Sequence, residues 1–228
     1  MPMSDIAIIT ARGGSKRIPG KNIRDFCGKP ILEYSIEAAL GSGCFSKVMI
    51  STDDEAIAEV AKHAGAEVPF YRSAETSDDF ATTDMVIAEV LAEYEKRGES
   101  FDAFCCIYPT APFISPGRLQ EAMALLREHE AMMPVVAFSY PPQRSFIIDG
   151  GKLVRKYPEY ANARSQDLEK LYHDCGQFYA CRVDAFLRGG TMNVEDRVPL
   201  ILPESEVQDI DTEEDWIIAE EKYRRLKR

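Results

Sequence analysis

Short apolar runs alternate with amphipathic segments along most of this chain of 228 residues. Residues 6–9 form a continuous apolar run that ends shortly before Gly13 and Gly14, as a buried parallel strand does. Residues 30–40 predict a helix, with a proline near its first turn and Gly41 just past its end. The same criteria predict further strands at residues 48–50, 68–71, 104–108, 135–138 and 198–202. They also predict a helix that is capped by Asp53 or Asp54 and ends at residue 63, and further helices at residues 83–96, 116–128 and 212–227.

This alternation predicts an α/β fold with three layers, in which β-α units build an open, mostly parallel sheet covered by helices on both faces. Residues 140–175 interrupt the rhythm with two prolines, a hairpin-like Asp149-Gly150-Gly151 turn and a polar stretch. We expect this segment to leave the main sheet. No repeat or convincing linker divides the chain, so residues 1–228 are predicted to form one domain that carries this excursion.

The charge balance narrows the choice of partners. The chain has 27 basic and 38 acidic side chains, a net charge of −11, and such a surface repels nucleic acid and anionic membranes. The N-terminal residues lack the pattern of a signal peptide, and no stretch approaches the roughly 18 apolar residues of a membrane span. Of the six cysteines, Cys105 and Cys106 lie in an apolar run and none has C-x-x-C spacing. We expect reduced thiols, no nucleic-acid partner, no membrane insertion and a cytoplasmic location.

A basic, glycine-rich loop stands out against this acidic background. Residues 11–22 read ARGGSKRIPGKN, and between Arg12 and Arg24 there are five basic residues and no acidic one. Glycines let backbone N–H groups approach an anion, and the basic side chains neutralise it. The loop follows the first predicted strand, at the sheet edge where open α/β folds bind ligands. A solvated loop would not need glycine and basic charge together, so we interpret it as a triphosphate site.

The loop differs from both common phosphate motifs. Five residues separate Gly14 from Gly20, and Asn22 follows Lys21 where a Walker A loop has Ser or Thr. The Gly13-Gly14-Ser15 sequence also fails the G-x-G-x-x-G pattern of dinucleotide sites.

Two carboxylates near the C-terminus form the second candidate site. On an extended segment Asp209 and Asp211 point the same way, with Ile210 facing the core between them. Two carboxylates together with phosphate oxygens and water suit Mg²⁺. Asp211 with Glu214 also spells a capping box for the last helix, and both interpretations stay open.

Other polar residues follow predicted strands at the same edge. Asp53 and Asp54 end the second strand and could either cap a helix or bind a ligand. Arg72 follows the third strand, and a Pro109-Thr110 turn follows the fourth, where substrate loops gather.

Taken together, these motifs resemble the CMP-sugar synthetase (acylneuraminate cytidylyltransferase) family, which transfers CMP from CTP to acidic sugars. Residues 11–22 are similar to the family's CTP-binding loop, and residues 51–54, 109–113 and 209–211 match its later motifs in order. The resemblance covers essentially the whole chain. Tyr108, which stands where sialic acid synthetases usually carry glutamine, and residues 163–169 and 172–179 resemble the subgroup that activates pseudaminic acid.

The resemblance implies a Rossmann-like nucleotidyltransferase fold, CTP and an acidic nine-carbon sugar as substrates, Mg²⁺ as cofactor, and a homodimer joined by a small protruding dimerisation arm at residues 140–175. The implied nucleotide contacts are Ala11, Arg12, Gly13, Gly14, Ser15, Lys16, Lys21, Asn22, Arg72, Ala81 and Thr83. The implied sugar contacts are Tyr108, Arg164, Gln177 and Tyr179, with Arg164 on the sugar carboxylate. Lys21, Asp211 and Arg12 would act in catalysis, and Asp209 and Asp211 would hold the metal.

Several alternatives remain at the level of sequence. The sugar could be sialic, legionaminic or 3-deoxy-manno-octulosonic acid, and a related enzyme could use UTP or GTP. A nucleotide-sensing protein without catalysis is a different class, but such a protein need keep neither Lys21 nor the Asp209/Asp211 pair.

Overall fold

The computed structural model describes residues 4–226. The strands are β1 Asp5–Thr10, β2 Asp25–Phe26, β3 Lys29–Pro30, β4 Lys47–Ser51, β5 Ala103–Ile107, β6 Ala131–Ala137, β7 Phe146–Asp149, β8 Lys152–Arg155, β9 Tyr172–Asp174, β10 Phe178–Arg182 and β11 Arg197–Ile201. The α-helices are α1 Ile31–Ser42, α2 Glu55–His63, α3 Ala74–Ser77, α4 Thr83–Lys96, α5 Pro116–Leu125, α6 Val183–Gly189 and α7 Glu213–Leu226. The last helix was predicted to reach Lys227, which lies outside the described residues.

The central sheet has the strand order β11-β6-β10-β5-β1-β4, with β9 added beside β6. β1 runs parallel to β4 and to β5, and β11 runs parallel to β6. Between β5 and β6 lies β10, which is antiparallel to both of them. The predicted mostly parallel α/β sheet is therefore confirmed, with β9 and β10 as reversed strands.

Helices cover both faces of this sheet, because alternate residues of its strands point in opposite directions. On one face, Ile9 packs in a buried cluster with residues of α1, α2 and α5. On the other face, Ile8 packs in a second cluster that includes Ile87 of α4 and Phe186 of α6. The two clusters confirm the predicted three layers. Cys105 and Cys106 of β5 divide between the clusters, fully buried as expected, and all six cysteines are free.

The strand predicted at residues 68–71 is wrong. Only Glu67 bridges to Met49 of β4, and the following residues form no ladder. Pro69 lacks an N–H for a ladder, and Phe70 instead packs edge-to-face on Tyr94 with ring centroids 5.4 Å apart. The apolar character of this run therefore serves packing in a loop, which leads directly to Arg72.

The segment predicted to leave the main sheet contains a separate two-stranded sheet, and its proposed role stays a prediction. Its centre is the β7–β8 hairpin, whose Ile148 and Leu153 face each other across the ladder and are 79% and 73% exposed. β9 returns to the main sheet at Tyr172, earlier than the predicted boundary at residue 175. We refer to residues 140–171 as the arm. No helix within residues 4–226 is long and apolar enough to cross a membrane.

Candidate active site

The basic loop is anchored at the carboxyl end of β1 by contacts with the neighbouring strand end. The Ala11 N–H donates to the Ser51 carbonyl at 2.9 Å, and the Gly13 N–H donates to the Asp53 carboxylate at 2.8 Å. Buried Asn22 donates its side-chain N–H to the Arg12 carbonyl at 2.8 Å and so closes the loop. The loop is thereby held in place before any ligand arrives.

The loop borders a cavity of about 520 Å³ at this edge of the sheet. The cavity is lined by Thr10, Arg12, Ser15, Lys16, Arg17, Lys21, Asn22, Arg72, Asp79, Ala81, Thr83, Val86, Tyr108, Pro109 and Thr110. Of the residues predicted to bind nucleotide, only Ala11, Gly13 and Gly14 are missing from this lining. The structure thus brings together loops that lie far apart in the sequence. Asp79 is an addition that no motif indicated.

Lys21 links the loop to the second predicted site, 189 residues away in sequence. Its Nζ donates to the Ile210 carbonyl at 2.7 Å and lies 3.7 Å from a carboxylate oxygen of Asp211. The side chain is 19% exposed, and the desolvation that follows from burial lowers the pKa of its ammonium group. Lys21 is therefore a positioned cation on the border between the cavity and the carboxylate pair.

The carboxylate pair flanks a buried residue, as predicted. Ile210 is 1% exposed, and Asp211 accepts from Arg17 at 2.8 Å. Desolvation, followed by the charge of Asp211, raises the pKa of the Asp209 carboxyl, so the two carboxylates repel each other in a partly desolvated place. Within residues 4–226, no group of three or more His, Cys, Asp and Glu side chains could hold a metal. Two carboxylates completed by substrate phosphates and water are nevertheless a donor set that suits Mg²⁺.

The predicted capping box of Asp211 with Glu214 is wrong. Thr212 caps α7 instead: its hydroxyl accepts from the Asp215 N–H at 3.2 Å, and the Asp215 carboxylate accepts from the Thr212 N–H at 2.8 Å. The cap is displaced by one residue because the Thr212 carbonyl accepts the first helical bond, from Trp216, at 3.1 Å. The side chain of Asp211 is left to face the basic loop.

Asp53 and Asp54 have different roles in the structure. The sequence left both a cap and a ligand role open for them. Asp54 caps α2 by accepting from the Ile57 N–H at 3.0 Å. Asp53 holds the Gly13 N–H of the basic loop. Arg72 follows the same sheet edge and donates to the carbonyl and hydroxyl oxygens of Ser51 at 2.8 and 3.1 Å. Burial lowers the pKa of the Arg72 guanidinium, whose position is fixed beside the cavity.

Among the residues predicted to contact sugar, Tyr108 and Tyr179 form a pair. Their ring centroids are 5.5 Å apart in an edge-to-face arrangement, and the Tyr108 hydroxyl lies 3.3 Å from that of Thr83. The Tyr179 hydroxyl donates to Asp174, which lines a second cavity of about 500 Å³ together with Asp209. Asp174 follows His173 directly in the sequence. In the structure its carboxylate orients Tyr179, and His173 contacts only its backbone carbonyl.

The other two residues predicted to contact sugar lie elsewhere. Gln177 is 1% exposed and donates to the Glu206 carbonyl at 2.7 Å, so its amide nitrogen is occupied within the protein. Arg164 lies on the arm, where it pairs with Asp167 at 2.7 Å and is largely exposed. Neither of them lines either cavity, and the same holds for Tyr179. Their predicted sugar contacts stay predictions.

Residues 6–182 match the family model described as cytidylyltransferase. The chain belongs to the cytidylyltransferase family. It is 40% identical over 225 residues to the pseudaminic acid cytidylyltransferase of Campylobacter jejuni, with 97% of each chain covered. It is also 34% identical to the CMP-N,N'-diacetyllegionaminic acid synthase of Legionella pneumophila, covering 96% of this chain and 95% of that protein.

A solved structure supports the fold of this cytidylyltransferase. The CMP:2-keto-3-deoxy-manno-octonic acid synthetase complexed with CTP superposes with a TM-score of 0.69 at 19% identity, covering 98% of both chains. This likeness confirms a nucleotidyltransferase fold.

Gly13 offers a test of the loop in this cytidylyltransferase. A Cβ at this position would lie 2.7 Å from a carboxylate oxygen and 2.9 Å from the Cβ of Asp54, so either the loop or the α2 cap must shift. We expect Gly13→Ala to raise the KM for CTP roughly 10-fold or more, because a small displacement of a positioning loop is costly. At Gly14 an added Cβ meets nothing within 4 Å. Gly14→Ala should therefore give a clearly smaller rise, and equal rises in steady-state assays would contradict the steric argument.

Proposed function

We propose that this cytidylyltransferase transfers CMP from CTP to the anomeric hydroxyl of pseudaminic acid, an acidic nine-carbon sugar, and releases pyrophosphate. The observation that carries the choice of sugar is the 40% identity with the C. jejuni enzyme over 97% of both chains. The cavity supports the choice of reaction, because the basic loop and Lys21 line it and the Asp211 carboxylate lies 3.7 Å from the Lys21 ammonium.

In the proposed reaction the sugar hydroxyl attacks the α-phosphorus of CTP, and pyrophosphate leaves in line. Positioning and charge neutralisation dominate phosphoryl and nucleotidyl transfer of this kind. Arg12, Ser15 and Lys16 line the cavity and are proposed to hold the phosphates. Lys21 is proposed to stabilise the charge that develops at the α-phosphate, since its ammonium is fixed between the loop and Asp211.

The remaining walls are assigned to the base and the sugar. Arg72 with the turn at Ala81 and Thr83 is proposed to read cytosine, and Asn22 to contact the nucleoside. Tyr108 and Tyr179 are proposed to line the sugar subsite, because their paired rings and hydroxyls lead from the nucleotide cavity towards Asp174.

Mg²⁺ is proposed as the cofactor, held by Asp209 and Asp211. Asp209 and Asp211 would hold the ion, which would supply positive charge against that of the phosphates. The mutual repulsion of the two carboxylates supports this assignment, since a cation between them would relieve it. The ammonium of Lys21 and the guanidinium of Arg17 already compensate part of the charge of Asp211.

The test is release of pyrophosphate by the purified protein with Mg²⁺. CTP, UTP and GTP are each combined with pseudaminic, legionaminic, sialic and 3-deoxy-manno-octulosonic acids. We expect release only with CTP and the highest kcat/KM with pseudaminic acid. Preference for legionaminic acid would overturn the choice of sugar alone, whereas no release with any pair would overturn the reaction.

We also propose that the protein is a homodimer joined through the arm and works in the cytoplasm. The β7–β8 hairpin exposes Ile148 and Leu153, and a monomer gains nothing from such apolar exposure. A partner's arm could bring its Arg164 to the sugar carboxylate, whereas the Arg164 of the same chain lines neither cavity. The six free cysteines fit a reducing compartment.

The arm hypothesis predicts the effect of charge on the hairpin. Ile148→Asp combined with Leu153→Asp should halve the mass measured by light scattering, because two carboxylates would be desolvated at the interface. The KM for the sugar should rise while CTP binding persists. Lys152→Gln alters the same exposed hairpin without adding an acidic charge and should leave the mass unchanged. An unchanged mass in the double variant would show that the arm does not join two subunits.

A further inference from the structure

A carboxylate of the protein itself is bound by the cations of the basic loop. Asp79 pairs with both loop residues proposed to hold phosphates: Arg12 Nη1 lies 3.0 Å from one of its oxygens, and Lys16 donates to the other. All three side chains line the nucleotide cavity. The two cations therefore already bind one anion, and they bind it as they would bind two oxygens of a phosphate group.

The segment that carries Asp79 is built to present it. The preceding Asp78 turns the chain, because its carboxylate accepts from the N–H groups of Phe80 and Ala81 at 2.8 and 2.7 Å. Its backbone carbonyl accepts from Arg12 at 2.9 Å, which ties the turn to the loop. The hydrogen bond from Lys16 and the nearby positive charges lower the pKa of Asp79, which therefore remains an anion at neutral pH.

We propose that Asp79 is an internal competitor for the outer phosphates of the nucleotide, and that it promotes release of pyrophosphate after CMP transfer. The proposal rests on the proposed function, which assigns Arg12 and Lys16 to the phosphates and Lys21 to the α-phosphate, so that the outer phosphates are left to Arg12 and Lys16. Any ligand that needs both cations must first displace Asp79, and the lost ion pairs subtract from its affinity. A ligand that contacts only the base, ribose and α-phosphate side of the cavity leaves Asp79 in place.

This competition makes a selective prediction. Asp79 weakens the binding of pyrophosphate and CTP but leaves the binding of CMP unaffected. After the reaction, the carboxylate is tethered beside the two cations and re-forms its pairs as pyrophosphate leaves, so rebinding is disfavoured. The pairs are solvent-exposed, with Asp79 44% exposed, and exposed pairs have modest strength that declines with salt.

The test is calorimetric titration of full-length wild type and Asp79→Asn with pyrophosphate, CTP and CMP, each with Mg²⁺. We expect Asp79→Asn to lower the Kd of pyrophosphate and CTP by roughly 3- to 10-fold, the scale of two exposed ion pairs, and to leave the Kd of CMP unchanged. Product inhibition by pyrophosphate should become stronger by the same factor. Weaker pyrophosphate binding would mean that Asp79 merely supports the loop, and an equal gain for all three ligands would indicate a general charge effect. Either result overturns the proposal.

Glu75→Gln is the matched control. Glu75 is exposed on α3 in the same segment, and within residues 4–226 it makes no ion pair, so the variant removes one negative charge without freeing either cation. A gain in pyrophosphate affinity as large as that of Asp79→Asn would overturn the proposal. Failure of the wild type to bind CTP would instead overturn the proposed function, so the two failures are distinguishable.

Discussion

Replacing Lys21 by alanine is expected to lower the kcat for CMP transfer by roughly 10²- to 10³-fold, the usual cost of losing one preorganised partner of the transition state. The Lys21 ammonium is held by the Ile210 carbonyl at 2.7 Å, and the side chain is largely withdrawn from water, so its charge acts in a medium of reduced dielectric. Initial rates of pyrophosphate release at saturating CTP and sugar measure the effect. The KM for CTP should change less than kcat, because Arg12 and Lys16, which are proposed to hold the phosphates, still line the cavity.

Arg24→Ala is the control for Lys21→Ala. Arg24 pairs with Glu213 at 2.7 Å and stacks on Trp216 at 4.6 Å, but it does not line the cavity. Its loss should lower the melting temperature and leave kcat close to that of the wild type. If Lys21→Ala keeps near-normal turnover with its fold intact, Lys21 has no catalytic role.

The second large effect is expected for Asp211→Asn. This change removes one of the two proposed metal-binding carboxylates and should reduce the Mg²⁺-dependent rate by about 10²-fold, the scale of a lost electrostatic partner in the transition state. The concentration of Mg²⁺ for half-maximal activity should rise. The melting temperature should change little, because Thr212 rather than Asp211 caps α7. Metal titrations of activity and thermal unfolding without substrates measure the two quantities separately.

Thr212→Ala should give the opposite outcome. It removes the cap hydroxyl and should reduce the free energy of unfolding by roughly 0.5–2 kcal/mol with little change in Mg²⁺ dependence. If Asp211→Asn instead lowered stability and left activity unchanged, the side chain of Asp211 would be structural.

Most of the strands and helices that hydrophobic periodicity predicts are present in the structure, because the pattern of apolar residues within each element is sufficient to indicate it. Residues 6–9 are wholly buried between two helical layers, and such strands read as continuous apolar runs. Residues 68–71 carry the same signal for a different reason, since Phe70 packs its ring on Tyr94 from a loop. Hydrophobic periodicity indicates which residues are buried. It cannot distinguish a residue that is buried in a paired strand from one whose side chain is buried from a loop.

The candidate site shows a similar division. The basic loop was recognisable because its glycines and cations are contiguous, and Asp209 and Asp211 because their spacing is two residues. Asp79 could not be recognised in the same way, because it is one of several neighbouring acidic residues in the sequence. Only its contacts with Arg12 and Lys16, more than sixty residues away, distinguish it. The cap of α7 was placed one residue too early because Asp211-Glu214 and Thr212-Asp215 both satisfy the spacing, and only the backbone decides between them.

The position of β10 has a consequence for how the chain is made. This strand fills the gap between β5 and β6, yet it is followed in sequence only by α6, β11 and α7. A nascent chain that has emerged as far as the arm carries β5 and β6 with their facing edges unpaired, and such edges favour association with other chains. We therefore expect fragments that end before Phe178 to aggregate during synthesis. Circular permutation at the exposed Gly150-Gly151 turn would bring β10 out of the ribosome ahead of β5 and change the order in which the sheet closes.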